Sequence, residues 1–407
     1  RISMGTSPAT QAPPERDLFI DWVRVVAMGF VVAGHWATTT IVWEPERVSS
    51  VNALSVIPSV RIATWIVQVM PLVFFAGGFA NAVSLGRAGT SLSYVRMRMR
   101  RLLTPTVAFL AIWLVLGLII ELTDPTGPGK VRAAEAAALP LWFLGIYVIA
   151  VAAAPAMWRL HRRFRWGVVG VLASGVVLVD LAAIGFDVAD LGGLNYALVW
   201  LLAHQSGFFY ADGTLRRLDF RRALALAGAG LSGLVMLVTV FGYPVSLVGV
   251  PGGRSNAEPP TLAIVAGTAW LVGVVLMLRP AVTGWLEGRR PGGTVRRLHG
   301  LLLSTYVWHI TALMFGAGLW RAAGWPEPAI GSGGWWLQRI PWLALAAVPL
   351  AVLLWLVRRW EIHPVPTHRP GDVSPLAAPS IGLGVFAVAV GLLGFGETGF
   401  LPLAPTE

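Results

Sequence analysis

The stretch from Asp17 to Thr40 is long and apolar enough to cross a membrane, yet it carries Asp21, Arg24 and His35. An ionisable side chain inside a spanning segment is costly, and it marks a functional candidate. His35 has the chemistry of a general base. An imidazole titrates near neutral pH and can take the proton of a hydroxyl, typically for a rate factor of about 100 to 10,000. Arg24 stands three helical turns earlier. At about 100° per residue the two side chains share one face, about 16 Å apart along the axis. A cation low on the helix and an imidazole high on the same face suit a substrate that lies along it. Asp21 and Arg24 are i, i+3 neighbours and are placed to pair.

Other residues add to this face. The segment Arg96 to Pro105, RMRMRRLLTP, reads as an arginine-rich loop before a span. Guanidinium forks bind phosphate well, so Arg98, Arg100 and Arg101 are anion-binding candidates beside Arg24. Tyr306 and His309, in LLLSTYVWHI, share a helix face and are candidates for positioning a polar substrate. Asp180 and Glu121 fall toward the outer ends of their spans, where either carboxylate would orient His35 as in catalytic pairs. No metal site is expected. The chain has no cysteine, which removes thiolate nucleophiles and Cys-ligated metals. HExxH, GxSxG and Walker A patterns are absent from the sequence. Gly228-x-Gly230-x-x-Gly233 lies inside an apolar span with no strand before it. It reads as small-residue helix packing rather than a dinucleotide loop.

The elements that must position these residues follow from composition. Of 407 residues 56% are hydrophobic and only 13% charged, against about 25% charged in soluble domains. Apolar runs recur near 17–40, 60–86, 102–121, 139–158, 166–186, 193–210, 223–243, 261–279, 298–320, 337–357 and 380–399. The expected fold is an all-α polytopic membrane protein, a bundle of about ten transmembrane helices with an eleventh at the C-terminus. A soluble enzyme on a single anchor is excluded. Residues 1–16 read as a disordered cytoplasmic tail, 17–365 as the transmembrane domain, and 366–407 as a linker with the additional helix.

The net charge of +11 resides in arginines of short loops. They alternate from side to side with a bias of roughly three to one, which puts the N-terminus in the cytoplasm and makes nucleic acid an unneeded partner. Arginine in place of nearly all lysine, with much Ala, Val, Gly and Leu, is associated with GC-rich bacterial genomes. A bacterial plasma membrane is the expected location.

Five segments, in order, resemble the membrane acyltransferase 3 family. They are Arg16-Asp17-Leu18 through Asp21, Arg24 and Ala27 to His35; Pro71-Leu-Val-Phe-Phe-Ala-Gly-Gly-Phe79; Arg100-Arg101-Leu-Leu-Thr-Pro105; Leu141-Trp-Phe-Leu144 with Tyr147; and Ser304-Thr-Tyr306-Val-Trp-His309. Trp308 stands where the family commonly has an aliphatic residue or tyrosine, and the C-terminal apolar segment lies beyond the family's usual ten helices. The resemblance implies an acyl donor, usually acetyl-coenzyme A, with no tightly bound cofactor. It also implies an acceptor hydroxyl on a sugar, glycolipid or other small molecule, with membrane lipids as neighbours. His35 would deprotonate that hydroxyl, by direct transfer or through an acyl-histidine. A transporter or exporter using the same intramembrane charges is the alternative.

Overall fold

The computed structural model describes residues 17–43, 48–123, 135–186, 188–288, 292–361 and 378–400. The expected tail, the loop residues Lys130 and Arg132, and most of the linker lie outside them. Twelve helices are labelled here in chain order: α1 (Leu18–Thr38), α2 (Met70–Arg87), α3 (Ser91–Thr123), α4 (Leu141–Phe164), α5 (Trp166–Asp180), α6 (Asn195–Ala211), α7 (Phe220–Thr239), α8 (Leu262–Gly288), α9 (Gly292–Gly300), α10 (Leu302–Ala322), α11 (Gly333–Glu361) and α12 (Ala378–Thr398). Among the described residues ten helices are long and apolar enough to cross a membrane. α6, with 17 residues, is shorter, but a 3-10 turn over Ala189–Leu194 leads into it. The all-α bundle is therefore as expected, and α12 is one of the ten.

Asp17 starts α1, its carboxylate accepting from the backbone N–H groups of Phe19 and Ile20, as an N-cap does. The helix ends at Thr38 because Thr39-Thr40-Ile41-Val42-Trp43 is β-branched and aromatic. That run forms strand β1 (Thr39–Trp43), paired antiparallel with β2 (Val48–Asn52). This hairpin was not expected.

The arginine-rich stretch is a second departure. It is not a loop: Arg96 to Arg101 belong to α3, which continues through Pro105. Arg, Met and Leu are good helix formers, and at 1.5 Å per residue 33 residues reach about 50 Å, well past the hydrocarbon core. The hydroxyls of Thr104 and Thr106 bond the carbonyls of Arg100 and Leu102 around the proline, one way a membrane helix tolerates that residue.

α2 and α6 cross with their backbones in contact. A Cβ on Gly78 would collide with the His204 carbonyl, and one on Gly207 with the Phe75 carbonyl. α7 and α8 meet similarly, Gly230 lying on the backbone of Ala266 and Trp270. Of the pattern Gly228-x-Gly230-x-x-Gly233, Gly230 serves close helix packing, Gly233 makes ordinary contact with Ala266, and Gly228 faces open space.

Candidate active site

α1 packs between α2 and α10, and this contact brings two histidines together. His35 Nδ1 lies 2.7 Å from His309 Nε2, and the rings stack with centroids 5.0 Å apart. Their backbones are fixed by tryptophans. Trp36 donates its indole N–H to the His309 carbonyl, and Trp342 donates to the Trp36 carbonyl, each at 2.8 Å.

The hydrogen bonds set the proton positions. His309 Nδ1 is 2.5 Å from the Tyr306 carbonyl, and a carbonyl only accepts, so Nδ1 carries the hydrogen. In a neutral ring Nε2 is then an acceptor. It accepts from His35 Nδ1–H, which leaves His35 Nε2 with its lone pair free. Of the two rings' four nitrogens that Nε2 is the one with the chemistry to take a proton. Tyr306 contributes its backbone carbonyl, while its buried ring packs edge-on against Phe143, centroids 5.1 Å apart.

The other end of the α1 face holds the guanidinium groups. Arg24 donates from Nη2 to the Ala76 carbonyl at 3.0 Å and from Nη1 to His299 Nε2 at 3.0 Å. His299 also lies 3.4 Å from Asp21 Oδ1. Accepting from Arg24 leaves His299 Nε2 no hydrogen for Asp21. Asp21 remains within electrostatic reach of Arg24, as expected of the pair, and a histidine from α9 stands beside both. Arg98 faces the same region from α3, with Nη2 3.4 Å from the Tyr147 hydroxyl. Arg24 lies within electrostatic reach of both Arg98 and Tyr147. Gly77 makes room for this tyrosine, since a Cβ there would sit 2.9 Å from its hydroxyl. Among the described residues Arg98 Nε is buried without a partner. Arg24 and Arg98 converge near Tyr147, and Asp21 lies within electrostatic reach of Arg24, an arrangement whose guanidinium groups have the chemistry to take an anion.

A family model of an acyltransferase domain matches residues 17–360. The chain belongs to the membrane acyltransferase 3 family. No curated protein and no solved structure matches the chain. The matched span takes in both histidines and all the arginines above. α12 lies beyond it.

The remaining candidates of this membrane acyltransferase are placed elsewhere. Arg101 neighbours Arg98 and Arg87. Arg100 points to the opposite face of α3, into a cleft shared with Arg96. Asp180 is not brought to His35. It accepts from Asn195 at 2.7 Å and from Tyr243 and the Leu262 backbone at 2.8 Å, clamping the start of α8 to α5 and α6. Three donors engage that carboxylate, and the group paired with His35 is an imidazole instead. Glu121 is in the last turn of α3, and its side chain lies outside the described residues.

Sequence reasoning missed His299, which ends an ordinary basic segment, RRLHG. His204 and Gln205 interrupt the apolar run near 193–210. His204 bonds Asn81 at 2.9 Å, both fully buried. Gln205 donates to His161 at 2.8 Å, and His161 in turn donates to Asp212 at 3.1 Å. Burial alone would raise the Asp212 carboxyl, but the bonds from His161 and Thr214 outweigh it and hold it below the usual carboxylate range.

Proposed function

We propose that this acyltransferase moves an acetyl or other acyl group from acyl-coenzyme A to a hydroxyl of a sugar, glycolipid or other small molecule. It would do so in a bacterial plasma membrane, with its N-terminus cytoplasmic. His35 is the general base. The chain Tyr306 carbonyl, His309, His35 carries this reading, because it leaves a basic nitrogen on His35 Nε2.

The acceptor hydroxyl gives its proton to His35 Nε2 as its oxygen attacks the thioester carbonyl. The tetrahedral intermediate collapses and expels the coenzyme A thiolate, which takes the proton back from the imidazolium. The products are an ester and free coenzyme A. As His35 gains charge, its Nδ1–H bond to His309 becomes charge-assisted and stronger. Arg24, Arg98 and Arg101 would hold the phosphates of the donor, about three helical turns from the base.

Ester formation by the purified protein from acetyl-coenzyme A and an extract of cell-surface glycans, read by mass spectrometry, tests the reading. Loss of the product in a folded His35→Ala protein is the expected result. Acyl transfer that persists there overturns it. Flux of substrate into vesicles without any acyl donor would favour an exporter.

A further inference from the structure

α12 meets the bundle unevenly. Its middle and end dock on α4, where Gly145 brings a would-be Cβ within 2.9 Å of Leu393. The chain just after it closes on α3: buried Phe400 packs on Phe109 and Trp113, centroids 5.9 and 5.8 Å away. The first half of α12 diverges from α3. The gap is a cleft of about 780 Å³, closed at the Phe400 end. Its α3 wall carries Arg96, Arg100, Leu103 and Val107, and its α12 wall carries Val385 and Val388.

Three features define an occupant. The two arginines are one turn apart on one face of α3, and among the described residues neither has a carboxylate partner. The rest of the lining is almost wholly apolar. From Arg96 to Val107 the wall runs about 16 Å along the helix, close to one leaflet of an approximately 30 Å hydrocarbon core. A leaflet-long apolar wall with two guanidinium groups at its end matches an anionic amphiphile seated in the membrane.

We propose that the cleft between α3 and α12 is a binding site for an anionic glycerophospholipid, its phosphate on Arg96 and Arg100 and an acyl chain between the two helices. Clustered arginines at the headgroup level favour anionic lipid. The site lies on the far face of α3 from Arg98, and one of its walls is outside the acyltransferase domain. It stands whether or not the donor is acyl-coenzyme A.

The test uses the full chain in detergent and native mass spectrometry with phosphatidylglycerol and phosphatidylcholine of matched chains. The wild type should retain phosphatidylglycerol over phosphatidylcholine by about tenfold. R96Q/R100Q should bring the ratio close to one. Gly384 lines the cleft with open space where a side chain would go. G384F should therefore cut phosphatidylglycerol retention several-fold with both arginines intact. Thermal melting shows whether each variant folds. If the double variant does not, the wild-type ratio and G384F decide. Equal retention of both lipids by the wild type overturns the proposal. So does a preference that survives both variants. Displacement of phosphatidylglycerol by palmitoyl-coenzyme A but not by free coenzyme A would also overturn it, assigning the cleft to the donor's chain.

Discussion

His35 donates from Nδ1 to His309 Nε2 across the contact of α1 and α10, and the Tyr306 carbonyl fixes which nitrogen of each ring holds a hydrogen. The pair does with two imidazoles and a peptide carbonyl what a carboxylate does in a hydrolase triad: it sets the tautomer of a histidine, here His35. No side-chain charge is required for that. In an apolar bundle an ionised carboxylate would carry a larger desolvation cost than a neutral ring.

The first prediction follows from this order of roles. His35→Ala should lower kcat by a factor of about 100 to 10,000, the usual contribution of a general base. His309→Gln keeps an acceptor for His35 Nδ1–H and should lose less than His309→Ala. Rates of ester formation on folded variants check the order. Equal losses in the two His309 variants would mean that the acceptor at this position is not what matters.

The arginines should separate from the histidines kinetically. With the proposed donor, Arg98→Gln should raise the KM for acyl-coenzyme A more than it lowers kcat, because on that reading it removes a phosphate contact and leaves His35 untouched. Donor binding should weaken with salt in the wild type and less steeply in the variant. Titration of donor binding at two ionic strengths measures both.

Packing at the crossing of α2 and α6 is unforgiving. Gly78→Ala pushes a methyl into the His204 carbonyl and should cost about 1–3 kcal/mol or more, as overpacking does. Gly86→Ala, on the exposed end of α2 with open space at the Cβ, should be neutral or gain about 0.5–1 kcal/mol. Melting temperatures in one detergent compare the two.

Asp212 gives a pH dependence. Its carboxyl is held below the usual range in the folded protein, so its contribution is fully present above the unfolded pKa of about 3.9. It is lost as pH falls through the folded value. The wild type should therefore lose melting temperature between about pH 5 and the acid limit more steeply than Asp212→Asn. Parallel acid profiles of the two proteins would remove Asp212 as the cause.

Much of the architecture was legible in the chain because its signals are local. A run of apolar residues about 20 long spans a bilayer whatever surrounds it, and among the described residues ten of the eleven runs became helices long enough to do so, the run near 193–210 giving the shorter α6. The face shared by Arg24 and His35 follows from 3.6 residues per turn. Boundaries were less secure where local preferences compete. The β-branched run after Thr38 left the helix for a hairpin, and Arg96 to Arg101 joined a helix because arginine favours helix as readily as loop.

The sequence by itself determined that ionisable groups lie within the membrane-crossing segments, in which order and on which helix face. It also carried the family's motifs. Only the tertiary structure decided their partners. His309 stands 274 residues from His35, His299 stands beside Asp21 and Arg24, Asp180 is spent on clamping α8 to α5 and α6, and Arg100 turns away from Arg98. Helical periodicity fixes the direction of a side chain on its own helix. What stands opposite depends on which helices pack together and at what height, and that is set by contacts such as Gly78 on His204, summed over the whole bundle.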